Sequence, residues 1–187
     1  MPPIRTFIAF DTPEPIRKEM SVVQFELKKA KADVKWESEQ KFHATIKFLG
    51  NVDESTLPSL LKSIESTVLK FPAFEVAYQN VGAFPTITQP RVIWIGCINR
   101  EGTLENLKNE LDTVLLRFGI KKEERAFHPH ITLGRVKSAK GIQNLTSILE
   151  KITFEATNAV IKEIVVMKSK LKREGSEYAI LKSIPLL

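Results

Sequence analysis

Three histidines occur in the 187 residues, at positions 43, 128 and 130, and two of them open the same short pattern: His43-Ala44-Thr45 and His130-Ile131-Thr132. Imidazole ionises near neutrality, so two of them can divide acid and base work. A neutral ring takes a proton from water while a charged ring gives one to a departing alkoxide. A threonine hydroxyl beside each ring can donate a hydrogen bond to a phosphate oxygen on which charge builds. Such a set suits in-line displacement at phosphorus, with attacking and leaving oxygens on opposite sides. One His-x-Thr alone is explained as well by a structural histidine and a threonine in a strand. The second copy points to chemistry. His128 is read as organising its loop, because His130 is the residue that aligns with His43.

The elements that must position these groups follow from periodicity. Side chains alternate along a strand, so His43 and Thr45 share one face while Phe42, Ala44 and Ile46 share the other. His130 with Thr132, against Ile131 and Leu133, repeats the arrangement. Around the first motif the chain reads as a strand over Thr6 to Phe10, then a helix to about Ala30 with Ile16, Met20, Val23 and Leu27 at helical spacing. The motif strand follows, stopping at Gly50-Asn51, then a helix marked by Leu57, Leu60, Leu61, Ile64 and Val68, and a strand around Phe74 to Tyr78. The second half gives the same order: a strand over Arg91 to Ile98, a helix through Leu104, Leu107, Leu111 and Leu115, and a motif strand over Phe127 to Leu133. A helix over Ile142 to Leu149 and a strand around Val160 to Met167 complete it. Thr6 precedes His43 by 37 residues, and Ile93 precedes His130 by 37. The reading is therefore an α+β protein, a single bilobal unit over 1–187 with pseudo-two-fold halves at about 4–80 and 91–168. A C-terminal hairpin at about 162–184 is expected to turn at Gly175.

Composition sets the class. A hydrophobic content of 43% with 27% charged residues is that of a globular protein. The apolar runs are too short for a signal peptide or a bilayer span, and Cys97 is the sole cysteine, so a reducing, cytoplasmic compartment is expected, with no membrane partner. Cys97 and Trp94, in the apolar run Val92 to Ile98, read as packing residues. Phe84, preceding Pro85 in an expected loop, is the better candidate to stack on a nucleobase than Trp36 or Trp94. A net charge of +6 favours polyanionic partners. Basic residues gather at Lys121, Lys122 and Arg125, at Arg135, Lys137 and Lys140, and at Lys168, Lys170, Lys172 and Arg173.

The segments Phe42-His43-Ala44-Thr45-Ile46-Lys47-Phe48-Leu49-Gly50 and His128-Pro129-His130-Ile131-Thr132-Leu133-Gly134-Arg135 resemble the two His-x-Thr-x motifs of the 2H phosphoesterase superfamily. The likeness is strongest to the RNA 2′,3′-cyclic phosphodiesterases of bacteria and archaea, also called 2′-5′ RNA ligases. It extends to Arg5 to Phe10, Gly82 to Pro85, Pro90 to Gly96, and Ser169 to Leu171 with Gly175 and Tyr178. The resemblance implies two mainly antiparallel sheets with flanking helices around a central cleft. It also implies hydrolysis of an RNA terminal 2′,3′-cyclic phosphate to a 2′-phosphate, without metal or cofactor, by a monomer. His43 would be the proton donor to the 3′ oxygen, and His130 the proton acceptor from water. Thr45 and Thr132 would hold the phosphate, helped by Arg135, which strict alternation from His130 sets on the other face.

Three other readings stand beside this one. The same site run backwards joins a 5′-hydroxyl to a cyclic phosphate. A metal hydrolase would use His43, His128 and His130 as ligands, but leaves both threonines without a task. A non-catalytic module would hold RNA ends without turnover.

Overall fold

Apolar residues three and four positions apart give each helix one buried stripe, and alternating apolar residues give each strand one buried face; the two sets meet in a single core. The computed structural model describes residues 3–172 and 175–187. Its elements run β1 (Ile4–Asp11), α1 (Glu14–Lys28), β2 (Val34–Trp36), β3 (His43–Val52), α2 (Leu57–Val68), β4 (Phe74–Pro85) and β5 (Pro90–Ile98). They continue with α3 (Thr103–Leu115), β6 (His130–Val136), α4 (Ile142–Leu149), β7 (Thr157–Ile161), β8 (Glu163–Lys172) and β9 (Gly175–Pro185).

The strands form one antiparallel sheet in the order β7-β4-β5-β6-β3-β1-β8-β9, with β2 beside β6. At its centre β3 and β6 share a single bridge, Ala44 with Ile131. The two expected sheets are thus half-sheets, β3-β1-β8-β9 and β6-β5-β4-β7, hinged on the two motif strands. The fold is α+β with a duplicated unit, as the sequence indicates. One face of the sheet is packed by the helices through Ile8, Phe10, Ala44, Ile46, Ile93, Ile95, Ile131 and Leu133. The other face is open and carries a small separate cluster of Phe7, Ala9 and Val165, with Met167 and Tyr178 against it.

Several boundaries differ from expectation. The strand expected around Val160 to Met167 is two strands on either side of Lys162: β7 pairs with β4, and β8 with β1, at opposite ends of the sheet order. The sheet curls far enough for this. Phe10 of β1 meets Phe74 of β4 edge-on at 6.3 Å, and the Leu186 N–H donates to the Lys162 carbonyl at 2.8 Å. Each half of the chain therefore gives its last long strand to the half-sheet of the other. The equal 37-residue offsets do not survive as register. Asp11 stands opposite His43 while Gly96 stands opposite His130, two residues out of that spacing, because the connecting segments differ in length. β3 runs past Gly50 to Val52, since Gly50 takes the left-handed φ of +74° that lets the strand bend rather than end. The second motif strand starts only at His130. Gly175, expected as a turn, opens β9 opposite Lys172; Arg173 and Glu174 lie outside the described residues.

Candidate active site

The central bridge assembles the site. With Ala44 opposite Ile131, antiparallel register sets His43 opposite Thr132 and Thr45 opposite His130. Ala44 and Ile131 are fully buried toward the helices, so these four side chains share the open face. Facing residues in such a pair have Cβ atoms about 4.5–5.5 Å apart. The two imidazoles lie on one diagonal of this square and the two hydroxyls on the other.

Each ring is held from two residues upstream. His130 Nδ1 lies 2.7 Å from the His128 carbonyl oxygen. A carbonyl only accepts, so Nδ1 carries the proton and Nε2 is left with a free lone pair. His43 makes the equivalent hydrogen bond to the Lys41 backbone. Burial outweighs these bonds and lowers both pKa values, that of His43 to about 4. At His130 the neighbouring His128 and the Arg135 guanidinium push the same way.

Aromatic rings supply that burial. Phe7 stacks on His43 at 5.1 Å, and Tyr178 meets its edge at 5.1 Å. In the other half-sheet Phe84 meets His130 edge-on at 5.1 Å, with Trp94 behind at 6.3 Å. Phe84 is at the end of strand β4, not in a loop, and it also packs on Trp94 and His128. Trp94, read as a packing residue, instead lies on the open face beside His130. Its indole covers Gly82, where a Cβ would fall 2.3 Å from the ring. Trp36 is on the helix-covered face, over Gly134 and under Lys28, away from the site.

A β-bulge corrects the placement of Arg135. Ile93 pairs with Gly134 and Trp94 with Thr132, which leaves Leu133 as an extra residue in β6. Leu133 and Gly134 both turn inward, and Arg135 emerges on the face of His130. β3 has the equivalent bulge: Ile8 pairs with Lys47 and Ala9 with Thr45, leaving Ile46 extra. Lys47 is thereby turned into the core, and Phe48 onto the open face at 55% exposure. Lys47 Nζ bonds Asp112 at 2.8 Å and donates to the Lys121 carbonyl at 2.7 Å, while Lys108 bonds the same carboxylate at 2.7 Å. Desolvation would raise the Asp112 pKa, but hydrogen bonds from Lys108 and Lys47 outweigh it and hold the carboxyl below its usual range.

Positive charge collects by Tyr178. Lys41 Nζ is 5.9 Å from its ring, and Arg5 and Arg135 are near enough to oppose the rise in its phenol pKa that burial and the Glu37 carboxylate cause. Lys168 faces the other way, opposite the buried Thr6, and alternation sets Lys170 and Lys172 on the same side, away from the site; Arg173 lies outside the described residues. Among the described residues, no three His, Cys, Asp or Glu side chains are grouped to hold a metal ion.

Facing His-x-Thr strands at the seam of a duplicated α+β sheet define a two-histidine phosphoesterase class, and known proteins agree. The LigT-like phosphoesterase profile matches residues 10–94 and 96–178, and the chain belongs to that family. An RNA 2′,3′-cyclic phosphodiesterase of Methanocaldococcus jannaschii is 35% identical, over 96% of this chain and 99% of its own. The protein of that description from Thermotoga maritima is 33% identical, over 95% and 93%. The crystal structure of Escherichia coli LigT in apo form superposes with a TM-score of 0.79 at 25% identity, covering 100% of this chain and 99% of that one.

Proposed function

We propose that this chain hydrolyses the 2′,3′-cyclic phosphate at an RNA 3′ end to a 2′-phosphate by two-histidine acid and base catalysis. The observation that carries the reading is the register at the sheet's centre, where each histidine faces the other motif's threonine across one bridge. The relatives' activity supports the choice of substrate. His130 is the base: its free Nε2 takes a proton from water as the oxygen attacks phosphorus. His43 is the acid: a ring that holds a proton weakly, once charged beside the phosphate anion, gives it readily to the departing 3′ oxygen. Thr45 and Thr132 donate to the non-bridging oxygens, and Arg135 offsets the charge that builds there.

Phe84, whose ring packs on three neighbours, walls the His130 imidazole in this reading. The exposed Phe48 is the freer surface for a base. Both motifs lie on one chain, each half-sheet supplying one, so a single bilobal copy suffices and no metal is needed. The test is incubation of a cyclic-phosphate oligonucleotide with the protein in excess chelator. A 2′-phosphate product is expected; a 3′-phosphate would reverse the leaving group, and loss of activity would favour a metal site.

A further inference from the structure

We propose that Gln24, a buried amide on α1, is a positioning residue for Arg135: it fixes the bulge in β6 that brings the guanidinium onto the face of the two histidines. The inference deepens the two-histidine reading and rests on it. Gln24 is 6% exposed and lies in the buried stripe of Met20, Val23 and Leu27, where an apolar side chain would pack without polar cost. Its amide instead bonds at both ends. Nε2 donates to the Glu37 carbonyl at 2.8 Å and to the Leu133 carbonyl at 3.0 Å. Oε1 accepts from Lys28 Nζ at 2.8 Å, one helical turn along, which keeps the amide nitrogen toward the sheet.

Leu133 is the residue on which the placement of Arg135 turns. As the extra residue of the bulge it has no partner across the ladder in β5. Its carbonyl oxygen accepts from the Glu37 N–H at 2.9 Å as well as from Gln24, which uses both lone pairs. Gln24 thus ties α1 to the end of β2 and to the bulge at one point. Beside it the Trp36 ring covers Gly134, where a Cβ would fall 2.7 Å from the ring. The alternative to the bulge is regular alternation, which would turn Gly134 outward and Arg135 inward, beneath the helices. Without the Gln24 donors, the Glu37 and Leu133 carbonyls are left short of partners, and the bulge loses bonds that favour it over the regular strand. Arg135 in its bulged place is near enough to His130 to help lower that ring's pKa, so the amide behind the sheet bears on the reacting face through one side chain.

The test uses Gln24→Met, Arg135→Gln and the double variant, and measures kcat/KM for a 2′,3′-cyclic mononucleotide and the salt slope of KM for a cyclic-phosphate oligonucleotide. Methionine keeps the length and packing of glutamine but donates nothing. Each single substitution should lower kcat/KM at least about tenfold, and the double variant should lie within about twofold of Arg135→Gln. Gln24→Met should also lower the salt slope by about 0.7, the loss of one phosphate contact, as Arg135→Gln does. A purely structural role predicts otherwise: a smaller folded fraction multiplies the loss in both backgrounds alike and leaves the slope unmoved. Either of those results, or full activity in Gln24→Met, would overturn the inference. Should Gln24→Met fail to fold, Lys28→Met at its exposed site loosens the amide and should cost about threefold, a loss absent in the Arg135→Gln background. A loss that persists there, or none at all, would overturn the inference in the same way. Parent-level hydrolysis by Arg135→Gln would remove Arg135 from the reaction and the inference with it, whereas absence of hydrolysis by the parent protein would overturn the two-histidine reading itself.

Discussion

Burial against Phe7 and Tyr178 makes His43 a poor base, and this has consequences for rate and for stability. A bell-shaped profile is centred midway between the pKa values of its two groups. With His43 at about 4 and His130 lowered from 6.5, kcat/KM should peak between pH 4 and 6.5. The kcat optimum should lie higher, because bound phosphate favours the charged ring. A kcat/KM optimum above pH 7 would contradict these assignments. Stability follows from the same shift. Between pH 6.5 and 4 the unfolded chain binds a proton at His43 that the folded protein excludes. Stability is therefore full above pH 6.5 and falls as pH drops through that window, by about 3 kcal/mol. Thermal melts of His43→Gln should fall less between those pH values than those of the parent protein. His43→Ala and His130→Ala should each slow hydrolysis at least about 10²-fold. His128→Ala should cost much less, since its backbone carbonyl, which orients His130, stays in place.

At the scale of elements, the two bulges decide what the motif strands present, and a buried cluster pins one of them. Lys47 and Asp112 have side chains 1% and 2% exposed, and the carboxylate serves two lysines. Asp112→Asn should strand two buried ammonium groups and cost about 3–5 kcal/mol. Lys47→Met should cost less, because Lys108 still pairs with Asp112. Denaturant titrations giving the reverse order would mean that Lys47, through its bond to Lys121, carries more of the load. The bulges also explain what the sequence did not reveal. Strict alternation serves for His43, Thr45, His130 and Thr132, which precede the extra residues, and fails for Lys47, Phe48 and Arg135, which follow them. Periodicity marks the helices well, since Ile16, Met20, Val23 and Leu27 can share a face in only one way. It carries no information on the exchange of β4 and β8 between half-sheets, which brings Phe84 to His130 and, through β9, Tyr178 to His43. Trp94 reads as packing from sequence because a strand with one open face looks the same, over a few residues, as one buried on both.

At the scale of the molecule, basic residues gather at one part of the open face, and RNA binding should reveal them. The net charge of +6 steers any polyanion toward the protein, but Arg5, Lys41 and Arg135 by Tyr178 mark where a backbone would run. Three phosphate contacts to single-stranded RNA give a slope of about −2 in log K against log salt. Affinity for a cyclic-phosphate oligonucleotide should then fall about 20-fold between about 50 and 200 mM salt, against about threefold for a cyclic mononucleotide with one phosphate. Arg5→Gln should lower the oligonucleotide slope by about 0.7 and leave the mononucleotide slope unchanged. KM series in salt for the two substrates separate the cases. Equal slopes would mean that the chain leaves the site away from Tyr178, and that the basic rim serves only to attract.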